Sequence, residues 1–184
     1  DLATSKTAEE AISWCQSKIG TGVEYSIDEY RYQCVDFIQA YYSYLGVSPS
    51  YGSGFQYATN TLPSGWTRTY GGKPQKGDIL VYTGGDGHVA IYESDNVSYH
   101  QNWGGPYVQK VERYYGNSVW VQDEGVTKTY WGCIHPNFSG YNPEGYFEKP
   151  FPVSSNQLKI KGWAFDKDNI NESIYVDIYA FKKD

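Results

Sequence analysis

The chain predicts an α+β fold: N-terminal helices packed on an antiparallel sheet, followed by a short all-β segment. Apolar residues recur at helical spacing only before Gly46. Between residues 77 and 135, short β-rich runs are separated by glycine-bearing turns. Pro136-Asn-Phe-Ser-Gly-Tyr-Asn-Pro-Glu-Gly145 is loop-forming throughout, which places a boundary near residue 139. Residues 1–138 are then one domain, and 139–184 a linker with a β-rich segment. That segment either packs on the first domain or is the front of a β-sandwich.

Thr7-Ala-Glu-Glu10 has the spacing of a capping box, and Ala8, Ala11, Ile12, Cys15 and Ile19 form one helical stripe that Gly20 stops. Cys15 reads as a small core residue. Gly22 to Gln33 is polar and rich in tyrosine, a loop. Phe37, Ile38, Tyr41, Tyr44 and Leu45 mark a second helix that ends at Gly46, with Cys34 in its first turn. Ser48 to Pro63 lacks a period and reads as an ordered surface loop that shapes a cleft.

Ile79–Tyr82 and Val89–Tyr92, joined by Thr83-Gly-Gly-Asp-Gly87, predict a hairpin that presents His88 at the mouth of its strand, reachable from solvent. Val97 to Trp103 follows as a strand. Alternation sets Ser98, His100 and Asn102 on one face, with Tyr99, Gln101 and Trp103 on the other. Tyr107–Tyr115 and Thr127–Ile134 complete this series, with Cys133 in the core and His135 at a strand end without an evident partner. Tyr146–Val153, Gln157–Phe165 and Ser173–Phe181 predict three further strands.

Composition narrows the functional classes. A chain of 184 residues buries roughly two-thirds of its unfolded surface, enough for a real core. Its apolar runs are too short to span a bilayer, so no membrane insertion is expected. A net charge of −6 with 15 scattered cations argues against nucleic acid as a partner. Three cysteines make no disulfide scaffold and leave at least one thiol. The 20 tyrosines pack strands or offer flat faces to sugars. With neither an initiator Met nor a leader-like start, the chain reads as a mature form or an excised piece.

Cys34 carries the chemistry. The N–H groups and partial positive charge of a helix start favour thiolate over thiol, although Asp36 opposes this. A cysteine there, a histidine at a strand mouth and a polar group on the next strand are the parts of a thiol nucleophile system. The imidazole takes the thiol proton, and the third group holds the ring by its other nitrogen.

Tyr32-Gln-Cys34-Val-Asp-Phe, Gly77-Asp-Ile-Leu-Val-Tyr82, Gly87-His-Val-Ala-Ile-Tyr92 and Gln101-Asn-Trp103, in that order, resemble the motifs of CHAP domains. These are cysteine- and histidine-dependent amidohydrolases and peptidases related to NlpC/P60 and, more distantly, papain. The resemblance covers about residues 7 to 135. It implies a papain-like fold and hydrolysis of an amide bond in bacterial cell-wall peptidoglycan, by an N-acetylmuramoyl-L-alanine amidase or an endopeptidase acting through a cysteine acyl-enzyme. It makes Cys34 the nucleophile and His88 the base.

Where comparable CHAP lysins carry an acidic residue, this chain has His100. NlpC/P60 relatives use a second histidine in an equivalent role, which implies a set of Cys34, His88 and His100 with Asn102 assisting. Asn102 as principal orienter stays open. Tyr32, Gln33 and Trp103, in the same motifs, are the expected substrate contacts.

No cofactor and no metal site are expected. Some CHAP domains bind calcium before the cysteine, and here Asp28, Glu29 and Asp36 are the acids on hand. Gly162-Trp-Ala-Phe-Asp166 is similar to β-rich repeats of secreted bacterial proteins, which implies wall or glycan attachment. A secreted or wall-associated enzyme, or a phage-encoded lysin, is expected. Two other readings are an inactive wall- or glycan-binding module on the same fold, and a zinc site of Cys34, His88 and His100, whose spacing matches no compact zinc motif.

Overall fold

The computed structural model describes residues 4–26, 29–121, 125–139, 144–148, 150–154 and 157–165. The first helix, α1 (Ala8–Lys18), begins at the expected capping box. The Thr7 hydroxyl accepts the Glu10 N–H at 3.1 Å, and the Glu10 carboxylate accepts the Thr7 N–H at 2.9 Å. Ala11, Ile12 and Cys15 are buried, but Ile19 lies past the last turn as the C-cap and is 45% exposed.

The second helix, α2 (Cys34–Tyr44), starts on Cys34 itself. Asp36, third in the helix and buried, accepts the Gln33 N–H at 2.9 Å and the Tyr25 and Ser26 N–H groups at 3.4 Å. It thereby caps the helix and ties down the preceding loop. Phe37, Ile38, Tyr41 and Tyr42 face the core, and Gly46 at φ 80° ends the run. The predicted loop Ser48–Pro63 contains a 3-10 helix, Gly54–Ala58.

Seven antiparallel strands form one sheet: β1 (Thr67–Tyr70), β2 (Ile79–Thr83), β3 (His88–Ser94), β4 (Val97–His100), β5 (Gln109–Val111), β6 (Val119–Val121) and β7 (Val126–His135). Their order is β1-β7-β2-β3-β4-β5, with β6 paired to β7. The expected hairpin is β2–β3, in which Ile79 faces Ile91 and Tyr82 faces His88.

Both faces of β2 and β3 are covered, which accounts for their unbroken apolar runs. Val81, Val89, Ile91 and, from β4, Tyr99 join Phe37, Ile38 and Tyr41 in the helix-side core. Leu80, Tyr82, Ala90 and Tyr92 join Val119 in a second cluster, against which Trp103, Tyr115 and Tyr130 pack. The predicted strand Val97–Trp103 stops at His100, because Asn102 takes φ 56° and turns the chain. The run Tyr107–Tyr115 keeps only Gln109–Val111 as strand.

The chain divides after Ser139 into two compact units. The second holds β8 (Glu144–Phe147), β9 (Phe151–Ser154), β10 (Gln157–Lys159) and β11 (Gly162–Phe165), with β8 paired to β11 and β9 to β10. The predicted strands Tyr146–Val153 and Gln157–Phe165 are thus each broken in two. Pro150, which brings no N–H to a ladder, falls in the first of these breaks. The predicted strand Ser173–Phe181 lies outside the described residues. Among the described residues, no helix is long and apolar enough to cross a membrane.

Candidate active site

The turn before β3 fixes the first part of the site. Gly84, Gly85 and Gly87 take φ of 118°, 53° and 74°, a path open to glycine, and the Phe55 N–H donates to the Asp86 carbonyl at 3.0 Å. A Cβ at Gly54 would stand 2.6 Å from the His88 nitrogen, and one at Gly87 would collide with the Phe55 backbone. The 3-10 helix is therefore seated directly on the turn. His88, expected to be open to solvent, is 1% exposed, and so is His100. That correction comes from a contact between segments about thirty residues apart, which no local pattern shows.

The two imidazoles meet. His88 Nε2 and His100 Nδ1 share a hydrogen bond at 3.0 Å, with the rings 15° from parallel and their centroids 5.2 Å apart. On its far side, His100 Nε2 lies 2.7 Å from Ser98 Oγ. The Tyr82 ring flanks both histidines, and Trp103 stands 5.1 Å from the His100 ring. Burial pushes His88 down to about 3, helped by the Lys128 charge. His100 is pushed well below the ordinary range by burial, then by His88 and Arg113. Both rings are neutral at pH 7.

Cys34 is half-buried at the first position of α2, whereas Cys15 and Cys133 are fully buried, and none of the three is in a disulfide. Two tethers bring its surroundings to the imidazoles. The buried Gln101 amide donates to the Gln33 carbonyl at 2.7 Å and the Val23 carbonyl at 2.8 Å, and accepts the Val23 N–H at 2.7 Å. The residue before Cys34 is thus tied to the residue after His100.

Tyr57 of the 3-10 helix also senses Cys34: its phenol is raised by burial first, then by Tyr42 and Cys34. The same 3-10 helix begins on the His88 backbone. The neighbour of Cys34 is thus tied to the His100 segment, and Tyr57, which senses Cys34, belongs to the helix seated on the His88 segment. The two rings are hydrogen-bonded to each other, and His100 to Ser98.

The remaining expected residues divide. His100, and not Asn102, holds the Nε2 of His88. Trp103 was expected on the face away from His100, yet it packs beside that ring, because Asn102 ends the alternation, and its indole N–H donates to the Trp120 carbonyl at 2.9 Å. The Gln33 side chain donates to the Tyr30 carbonyl at 3.2 Å. Tyr32, at φ 59°, has its ring 6.2 Å from that of Tyr107.

Of the three acids named for calcium, two lie among the described residues. Both Asp36 oxygens already face donors, Glu29 is exposed, and Asp28 lies outside the described residues.

Ser98 and Gln101 escaped the sequence reading as members of the site. Ser98 was already placed on the His100 face. Gln101, an amide inside an aromatic motif, gave only its position as a signal.

Gln101→Ala leaves the Val23 N–H and two carbonyls without their partner, and each buried unpaired group costs about 1–3 kcal/mol. A clear drop in the urea midpoint, together with weakened activity, is expected. An unchanged midpoint would remove the tether from the account.

His135 has partners after all. Its Nδ1 lies 2.6 Å from Asp78 Oδ2, and its Nε2 lies 2.8 Å from Thr69 Oγ1 and 3.7 Å from Cys133 Sγ. The hydrogen bond to Asp78 raises His135 to about 10, while burial pushes Asp78 the opposite way, toward protonation. The short contact and the Gln75 N–H on the same Asp78 oxygen, at 2.6 Å, favour imidazolium with carboxylate. Asp78, Cys133 and His135 also offer ligand atoms within 4.8 Å of one another. Ligands on a tetrahedral zinc stand about 3.4 Å apart, so the 2.6 Å approach is that of a hydrogen-bonded ion pair.

Two helices on an antiparallel sheet, with a cysteine at a helix start and two joined histidines on neighbouring strands, define the class of cysteine- and histidine-bearing α+β domains. Residues 24–102 match the family model of the CHAP domain, a span that includes Cys34, His88, His100 and Asn102. Among solved structures, the crystal structure of a wild-type endolysin, LysIME-EF1, shares the fold with a TM-score of 0.57 at 22% identity. The match covers 73% of this chain and 66% of that one, just under two-thirds of the endolysin's length. No curated protein matches.

Proposed function

We propose that the chain hydrolyses an amide bond of bacterial peptidoglycan through a cysteine acyl-enzyme, as an endopeptidase or an N-acetylmuramoyl-L-alanine amidase. One observation carries this reading: within the segment that matches the CHAP model, the half-buried Cys34 starts α2, and its neighbour Gln33 is tied through Gln101 to the strand that ends on a buried, neutral imidazole pair.

Because His88 starts neutral, it acts as a general base. The thiol proton passes to the ring as sulfur attacks the carbonyl carbon. Backbone N–H groups at the start of α2 stabilise the oxyanion. His88 then gives its proton to the departing amine, and the same ring activates the water that releases the acyl group. The exposed Tyr146 and Trp163, opposite each other in β8 and β11, offer flat faces of the kind that sugars stack on, which supports wall attachment by the second unit. An enzyme of this kind works outside the cytoplasm, as a secreted protein or a phage lysin.

Digestion of purified cell walls tests the proposal. Soluble fragments with new amino termini and no new reducing sugar ends are expected, and mass spectrometry of those termini distinguishes amidase from endopeptidase. Retention of the protein on walls without any release of fragments would favour the inactive binding module instead.

A further inference from the structure

The hydrogen-bonded row Ser98, His100, His88 has two internal proton arrangements, and they differ at the atom that matters. In one, the Ser98 hydroxyl donates to His100 Nε2, and His100 donates from Nδ1 to His88 Nε2. The last proton of His88 then sits on Nδ1, and no lone pair is left to take a thiol proton. In the other, His88 donates from Nε2 to His100 Nδ1, and His100 donates from Nε2 to the Ser98 oxygen. His88 Nδ1 is then a bare acceptor. Both fit the 3.0 Å and 2.7 Å separations, because a hydroxyl offers lone pairs as well as a hydrogen.

We propose that Ser98 is a positioning residue: by accepting the His100 Nε2 proton it holds the row in the second arrangement, which keeps His88 Nδ1 available as the base for Cys34. The proposal rests on the reading of Cys34 as nucleophile and His88 as base. When the Cys34 proton moves to His88 Nδ1, the ring carries hydrogens on both nitrogens, so its Nε2–H must donate to His100 Nδ1. His100 must then bear its own hydrogen on Nε2, and the group facing that hydrogen must accept it. Ser98 Oγ is the atom found there. The row is therefore already set for the charged state, and proton transfer needs no rearrangement of His100 or Ser98.

The surroundings leave this duty to Ser98. Ser98, His88 and His100 are all buried, and the charges felt by the two rings, those of Lys128 and Arg113, are positive. Among the described residues, the group found on the far side of His100 is the neutral Ser98 hydroxyl. In the CHAP resemblance an acidic residue stands at position 100, and an anion there accepts without ambiguity. An imidazole in its place can donate or accept, so its own direction has to be set from behind.

The three histidines make the test tractable by nitrogen NMR of ¹⁵N-labelled imidazole rings in the full chain. Hydrogen on Nε2 of both His88 and His100 is expected at neutral pH. Hydrogen on Nδ1 of His100 would overturn the proposal. In Ser98→Ala, His100 is expected to show a mixture of tautomers, with kcat on cell walls about tenfold lower, KM unchanged, and Ser98→Thr restoring kcat to within about twofold.

A Ser98→Ala protein that loses activity and thermal stability with its tautomers unchanged would make Ser98 merely structural. The ring spectra need no substrate. A wild-type chain that leaves walls intact would refute the hydrolase reading, while its tautomers would still decide for or against Ser98.

Discussion

Cys34→Ala is expected to release no soluble material from cell walls while folding as the parent does. The loss should be complete because no covalent intermediate forms without the sulfur. Stability should hold, because the side chain is only half-buried and alanine is a good helix former at the first helical position. His88→Ala should be nearly as inactive, since acid/base assistance is worth on the order of 10²–10⁴ in rate.

A chemical counterpart uses the burial of the other two thiols. Native protein should take up one equivalent of an alkylating agent, and unfolded protein three, because Cys15 and Cys133 are inaccessible until the core opens. Activity should fall in step with that first equivalent and should survive chelators. Full lytic activity in Cys34→Ala, or inhibition by chelation without inhibition by alkylation, would overturn the assignment.

What could be read from the sequence was the part that depends on neighbours along the chain. The capping box at Thr7, the helix that begins at Cys34 and the β2–β3 hairpin are all local. The face shared by Ser98 and His100 follows from alternation within one short strand. Features created by distant contacts were hidden.

His88 is closed off because Gly54 and Gly87, thirty-odd residues apart, have no side chains to hold their backbones away from each other. Asp78 and His135 meet only because β7 enters the sheet between β1 and β2, which the order of strands along the chain does not announce. Trp103 changed sides because a single residue with positive φ ended the alternation. Strands β1 and β6 were missed for simpler reasons. The first is polar and largely exposed, and the second has three residues, too few to show a period.

Stability should peak near neutral pH and decline on both sides, with different histidines responsible for each flank. On the acid side, His88 has a folded value of about 3 against 6.5 for an ordinary imidazole. Below pH 6.5 the unfolded chain gains a proton that the native state refuses, so stability falls as pH drops toward 3. His100 is displaced in the same direction and adds to the fall. A tenfold difference in proton affinity between the folded and unfolded chain is worth about 1.4 kcal/mol, so His88 alone represents several kcal/mol against a typical total of about 5–15 kcal/mol. The domain is therefore expected to unfold at moderately acid pH.

On the alkaline side, His135 is raised to about 10 by Asp78, so its contribution is complete below 6.5 and disappears as pH rises through 10. Urea midpoints measured from pH 4 to pH 10 should trace this dome. His88→Gln and His100→Gln should flatten its acid limb, and His135→Gln its alkaline limb. An acid limb that keeps its slope in both glutamine variants would mean that the buried imidazoles are charged in the native state. His88 would then be no neutral base, and the proton transfer from Cys34 would have to be written in another way.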